Sequence, residues 1–313
     1  MGPQPSWLDT TLLKSGTVLA LNEAWATPDS AGLYALKKGA DGLSIKSYLP
    51  VLGGPVSSQF YNNNTAVAIA HYSGGHGPGA GQTTSHVHHS ILDPTGKYLV
   101  FPDLGLDAIH VFCIDPTTGK LTAHDDIKDA TGSGPRHGVF WKSGKDTYFF
   151  LVHEINNKIT SFKVEYLAKG GLGFTKVDEQ STYGPKDEPF GAAGEIQISP
   201  DQKFILASNR NVTLSNIPNP DPSNSTQIAS DSIATFQPQA DGKLKFVELA
   251  PSGGKFPRHF SLNKDGSLVA VGNQNSFSVD IYARDVKTGK LGNRVASAYD
   301  LPSLPNNVLF IDE

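Results

Sequence analysis

His86-Val-His-His-Ser-Ile-Leu-Asp-Pro-Thr-Gly-Lys-Tyr-Leu-Val-Phe-Pro-Asp103 is the stretch whose reading decides the fold. A short apolar run, Tyr98-Leu-Val-Phe101, follows the turn Asp93-Pro-Thr-Gly96 and ends at a polar residue, Asp103. Working outward, five more runs of this kind appear: Val18-Leu-Ala-Leu21, Ala66-Val-Ala-Ile-Ala70, Tyr148-Phe-Phe-Leu-Val152, Phe204-Ile-Leu-Ala207 and Leu268-Val-Ala-Val271. Each is too short for a helix, and most are too β-branched or aromatic to favour one. Turns resembling the first recur at Ser143-Gly144, Ser199-Pro-Asp-Gln202 and Asn263-Lys-Asp-Gly266. A second class closes several segments: Asp41-Gly-Leu43, Thr118-Gly-Lys-Leu121, Asp241-Gly-Lys-Leu244 and Thr288-Gly-Lys-Leu291. Their glycines supply the positive φ of tight hairpin turns.

Repeats of about 40 to 50 residues with four short strands each read as propeller blades. The units fall at 5–50, 54–85, 86–129, 134–180, 190–249 and 254–298, followed by one apolar strand, Asn307-Val-Leu-Phe-Ile311. The rival architecture, a pair of β-sandwiches, lacks this period. The expectation is one all-β propeller domain over residues 1–313, with one blade incomplete. An Asn-, Pro- and Ser-rich insertion at about 211–231 breaks the rhythm and reads as a surface loop. The Gly-rich stretch Ser73-Gly-Gly-His-Gly-Pro-Gly-Ala-Gly-Gln82 reads as a flexible connection, because it lacks the Lys-Ser/Thr of a phosphate-binding loop.

Composition excludes several classes. Lys and Arg number 26 against 30 Asp and Glu, a net charge of −4 with no basic footprint for nucleic acid. No apolar run approaches the roughly 18 residues of a membrane span. The single Cys113 leaves no disulfide framework. The first residues carry neither a basic start nor a hydrophobic stretch, so a cytoplasmic location is expected for the chain as it stands. The sequons at Asn63, Asn211 and Asn224 do not establish secretion.

The polar residues gather at strand ends. Each apolar run stops at or near Asn22-Glu23, His71, Asp103, His153-Glu154, Asn209-Arg210 or Asn273-Gln274. In four units the preceding strand opens on polar residues too: His86-Val-His-His89, Pro135-Arg-His137, Glu195 and Pro257-Arg-His259. An antiparallel hairpin sets the start of one strand beside the end of the next. His88 is therefore expected near Asp103, Arg136 near Glu154, Glu195 near Arg210, and Arg258 near Gln274. In a propeller these positions share one end of the central channel. Single positions such as Asn22 or Asp103 are explained by strand-end packing alone. Three Arg, two Glu and up to five His together are costly as mere structure. A site for a small anionic ligand, with groups for proton transfer, accounts for the residue types. His86 and His88 could also ligate a metal with His137 or His259 as third ligand, but the expectation is a site with neither metal nor cofactor.

The chain resembles the seven-bladed propeller lactonase family, which includes 6-phosphogluconolactonases and carboxymuconate cyclases. The likeness runs from Pro5-Ser-Trp-Leu8 to Phe310 and rests on six motifs in order. These are His86-Val-His-His-Ser-Ile-Leu-Asp-Pro94, Pro102-Asp-Leu-Gly-Leu-Asp107, Gly134-Pro-Arg-His137, Ala193-Gly-Glu-Ile196 with Ser199-Pro-Asp201, Ala207-Ser-Asn-Arg210, and Ser252-Gly-Gly-Lys-Phe-Pro-Arg-His259. The resemblance implies that His88 is the catalytic histidine, Glu154 the glutamate closing its strand, and Arg136 and Arg210 the paired arginines of the site. It implies that His86, His137, Glu195 and Arg258 line the pocket; Gln274 joins them as the expected neighbour of Arg258.

Three departures stand out. His153 replaces the Asn that commonly precedes the glutamate. The insertion splits a stretch usually continuous in bacterial members. Family chains also begin about 40–50 residues earlier on the blade repeat, so the chain is expected to be truncated at its start, a missing piece that could carry a secretion signal. The resemblance implies hydrolysis of an acidic sugar lactone. Cyclisation of a carboxylated cis,cis-muconate uses the same cations and His, and a non-catalytic secreted or cell-surface propeller is the alternative of another class. The oligomeric state is not legible.

Overall fold

A computed structural model describes residues 5–24, 28–40, 42–70, 77, 82–186 and 190–311. These residues form antiparallel strands and three short 3-10 turns; no helix is long and apolar enough to cross a membrane. The chain divides into two compact units, Met1–Arg136 with Glu165–Gly173, and His137–Val164 with Phe174–Glu313.

In the first unit, Pro5–Asp9, Thr17–Asn22, Gly32–Gly39 and Gly42–Pro50 form a four-stranded sheet in chain order, the pattern of a propeller blade. Ser57–Tyr61 pairs with Ala66–Ala70 alone. In the next sheet Tyr98–Asp103 and Ala108–Ile114 are central, with Ile91–Leu92, Leu121–Ala123 and Ile127–Lys128 beside them. The turn at Asp93 forms because its carboxylate collects the N–H groups of Thr95, Lys97 and Tyr98 while Gly96 takes φ +71°. Val56, Tyr61, Ala68, Ala70, Val87, Leu99, Phe101 and Ile114 form one buried cluster that packs this sheet on the two-stranded pair.

Pro135–Ser143, Asp146–His153, Lys158–Tyr166 and Leu172–Ser181 form a second complete sheet in chain order, most of it in the second unit. Two more follow there: Ala192–Ile198, Ile205–Arg210, Ser232–Pro238 and Leu244–Pro251, then Pro257–Leu262, Leu268–Asn273, Ser278–Arg284 and Leu291–Ala298. Alternate residues of each inner strand fill the spaces between sheets. Phe150, Val152, Ile196, Ile205 and Phe236 share one cluster, and Leu206, Ile233, Phe260, Val269 and Val271 another. Period-2 alternation thus serves both faces of a sheet whose two sides are covered.

Three expectations change. The 54–85 unit contains only two strands among its described residues; His71 and most of the Gly-rich stretch 73–82 lie outside them. The 211–231 insertion is not simply a loop. Ser215–Pro218 pairs with Gln227–Ser230 as a hairpin, and its Asn, Pro and Ser residues concentrate in the connection between. Asn307–Ile311 forms no strand: among the described residues no strand pairs with it, and the Val308 N–H instead meets His259 Nδ1 at 3.4 Å.

Candidate active site

Hairpin register brings three of the four expected pairs of strand ends together. Val87 bridges Asp103, Ala192 pairs with Arg210, and Pro257 with Asn273. The register then shifts, between Ala193 and Ile196 and between Pro257 and His259. Such bulges re-aim side chains, and here the displaced residues include Glu195 and Arg258.

The bulge corrects one expected pairing in the second unit. Glu195 and Arg210 stand on adjoining strands, yet their side chains take different partners. Glu195 is buried; its N–H donates to Ser208 Oγ at 2.9 Å, and its Oε1 accepts the Ile196 N–H. Its Oε2 accepts from His137 Nδ1 at 3.0 Å and lies 3.4 Å from His259 Nε2. Because His259 Nδ1 accepts the Val308 N–H, its Nε2 carries the proton toward Glu195. One carboxylate therefore ties together histidines from the preceding and following sheets.

Arg210 pairs with Glu154 instead, Nη2 to Oε2 at 2.8 Å. Its Nε donates to Ala192 O and its Nη2 to Ala193 O, while the guanidinium lies over the Phe256 ring at 4.8 Å. The Tyr183 hydroxyl donates to the Arg210 carbonyl. The charged fork is thus held in one orientation. Nη1 has no partner among the described residues and is not sealed from solvent, so its two N–H groups are available. Glu154 has 27% of its side chain exposed, against 3% for Arg210. Gln274 donates from Nε2 to Asn306 Oδ1, and its own N–H meets Phe256 O, so it caps the strand beside bulged Arg258. His153, the departure from the family Asn, is buried with Nδ1 3.4 Å from Lys158 O.

In the first unit, His86 and His88 set their rings 5.6 Å apart on the same side of an extended segment, while His89 turns to the Trp7 ring. His88 is buried, with its N–H on Pro102 O. The Asp103 side chain accepts from the His86 N–H at 2.7 Å, the Ser85 hydroxyl and His110 Nε2 at 3.1 Å. Burial pushes the Asp103 carboxyl up, but the bonds from His110, the His86 N–H and Ser85 outweigh it and hold it below the usual range. His110 is raised chiefly by its bond to Asp103 and further by Asp126, 2.9 Å from its Nδ1. Arg136 is 1% exposed at the start of its strand.

Polar strand ends also do plain structural work. Asn22, Asn209 and Asn273 are fully buried and donate to Ser30 O, Thr182 O and Ser252 O. Among the described residues no three His, Cys, Asp or Glu side chains are grouped to hold a metal ion. Phe256, Tyr183 and His110 went unread in the sequence because nothing local marks them. His259 is marked in the sequence, where Pro257-Arg-His259 repeats Pro135-Arg-His137.

The family described as "Lactonase, 7-bladed beta-propeller" matches residues 2–304. An Arthroderma benhamiae protein named "Probable 6-phosphogluconolactonase" is 30% identical, covering 95% of this chain and 78% of its own. The 6-phosphogluconolactonase of Formosa agariphila is 36% identical over 67% of this chain and 54% of its own, and that of Bacillus subtilis 28% over 69% and 55%. The chain therefore spans about half the length of these two bacterial relatives. A crystal structure of a Lactobacillus plantarum protein superposes with TM-score 0.81 at 25% identity, covering 100% of this chain and 89% of that one. The Pseudomonas aeruginosa periplasmic gluconolactonase shares the fold, with TM-score 0.77 at 22% identity over 96% and 86%.

Proposed function

Because the chain belongs to the seven-bladed β-propeller lactonase family, we propose that it hydrolyses the ring ester of an acidic sugar lactone, as its relatives named 6-phosphogluconolactonase imply. The observation that carries this reading is Arg210: a buried guanidinium locked by two carbonyls, a carboxylate and an aromatic face, with Nη1 left open. Preorganised donors of this kind stabilise the oxyanion that forms when water adds to a lactone carbonyl.

In this reading His88 takes the proton from the attacking water. Glu154, fixed by Arg210, is the second candidate base. Arg136 is a second cationic anchor for the acidic substrate. The tetrahedral intermediate collapses by breaking the bond to the ring oxygen, which takes the proton held by His88 and leaves as a hydroxyl; the carboxylic acid formed releases its proton to solvent and becomes a carboxylate. His86, His137, Glu195, Arg258 and Gln274 shape the surroundings of these groups.

The test is turnover of 6-phosphogluconolactone and 3-carboxymuconate by the purified chain, with and without EDTA. Lactone hydrolysis that EDTA leaves intact and that His88→Ala lowers about 10²-fold is expected. Muconate turnover without lactone hydrolysis would transfer the site to cyclisation. A folded protein active on neither would favour the non-catalytic alternative.

A further inference from the structure

Next to Arg210, with Phe256 as a shared wall, the second unit has a polar cavity of about 260 Å³ that the lactonase reading leaves unused. Its lining is Asn211, Thr213, Asp231, Lys255, Phe256 and Asn275. Each segment continues a strand end already described. Asn211 follows Arg210, Lys255-Phe256 precedes Pro257-Arg258, and Asn275 follows Gln274. Asn211, Thr213 and Asp231 belong to the insertion.

The polar groups here are unevenly used. Asp231 is 2% exposed, and its Oδ2 accepts both the Asn211 N–H at 3.0 Å and the Phe256 N–H at 2.9 Å. Asn211 and Phe256 both hold left-handed backbone, φ +70° and +63°. Asp231 Oδ1 has no partner among the described residues, and it is not one of the sealed buried atoms. Burial is the main cause raising this carboxyl above its ordinary range. Around it, the charges of Lys255 and Arg210 act on Asp231, and the exposed side chains of Asn211, Thr213 and Asn275 make no hydrogen bond among the described residues. A carboxylate oxygen on a cavity wall can accept from a ligand.

A fitting ligand must both donate to Asp231 and accept from Lys255 and the amides. Hydroxyl groups do both. A phosphate dianion brings no proton for Asp231 and would face its charge.

We propose that this cavity is a subsite for a neutral, hydroxylated sugar ring carried by the lactone, so that the substrate class is a glycosylated aldonolactone. The proposal rests on the lactonase reading for the ring-opening step, but the cavity's chemistry is independent of it. Phe256 offers an apolar edge to the sugar's C–H face, and the insertion supplies the wall that sequences without it would lack.

The test combines calorimetric titration with maltose and kinetics on maltobionolactone beside glucono-1,5-lactone. Maltose binding is expected, weakened about tenfold or more by Lys255→Ala and by Asn275→Ala. Both residues are exposed, so folding is not at stake. The kcat/KM preference for maltobionolactone should fall by a similar factor, through KM. Absence of maltose binding, or phosphate binding that Lys255→Ala abolishes in its place, overturns the subsite. Maltose binding lost in both variants, without hydrolysis of either lactone, keeps the subsite and refutes the lactonase reading. Equal hydrolysis of both lactones by the original chain and by Lys255→Ala does the reverse.

Discussion

Two glutamates of the second unit have opposite surroundings. Glu195 is sealed between His137 and His259, with its backbone bound to Ser208. Glu154 is partly exposed and pairs with the locked guanidinium of Arg210. A buried carboxylate whose bonds run to neighbouring sheets acts as a clamp. A carboxylate at a solvent boundary, beside a cation with unused donors, is the one that the proposed reading assigns to chemistry. Residue type does not separate these roles; access to water does.

The comparison breaks most readily at Arg210. Arg210→Ala is expected to lower kcat/KM about 10²–10³-fold on the lactone substrate, the scale of losing an oxyanion donor. Arg210→Lys should not restore it, because an ammonium cannot reproduce the fork that meets Ala192, Ala193 and Glu154 together. Steady-state kinetics that left either variant at full rate would remove Arg210 from the mechanism.

Glu154→Gln should cost about 10² in kcat/KM with less loss of stability than Glu195→Ala, because the amide oxygen can still accept from Arg210 where solvent reaches the pair. Glu195→Ala should divide the other way. Leaving two buried histidines without their carboxylate is expected to destabilise the fold by about 3 kcal/mol, read by denaturant unfolding, with a smaller effect on turnover per folded molecule. Equal unfolding midpoints for Glu154→Ala and Glu195→Ala would erase the contrast. The smallest effect is expected at Lys243, an exposed residue paired with Asp241 on an outer turn; Lys243→Ala should change neither rate nor melting.

How far the fold could be read ahead is clearest where two parts of the repeat diverge. The 254–298 unit forms all four strands at the expected positions, and its outer turn closes as its residues dictate. Asp285 collects the N–H groups of Lys287 and Thr288, and Gly289 takes φ +80°. Asp115 and Gly119 do the same in the first unit. The 54–85 unit contains an equally apolar run, yet among described residues Ala66–Ala70 pairs only with Ser57–Tyr61. Asn307–Ile311 has the composition of a strand but forms no ladder among the described residues. An apolar alternation announces a strand's faces; it does not supply the neighbour on its edge.

The amino-acid sequence by itself determined the hairpins, their turns and the opposition of strand ends such as Val87 with Asp103 and Ala192 with Arg210, because turn chemistry and period-2 patterning act within about 25 residues. It also marked Arg210, Glu195, Glu154 and the Pro-Arg-His repeats as residues of one kind of site. Only the tertiary structure decided which of them meet. A bulge of one residue turns Glu195 away from its own hairpin partner and toward His137 and His259, 58 and 64 residues distant in the chain. That leaves Arg210 to Glu154 and to Phe256, whose ring no local pattern identifies. The reason is range: a register shift costs little locally, but it redirects a side chain into a neighbouring sheet, where packing sets its partner.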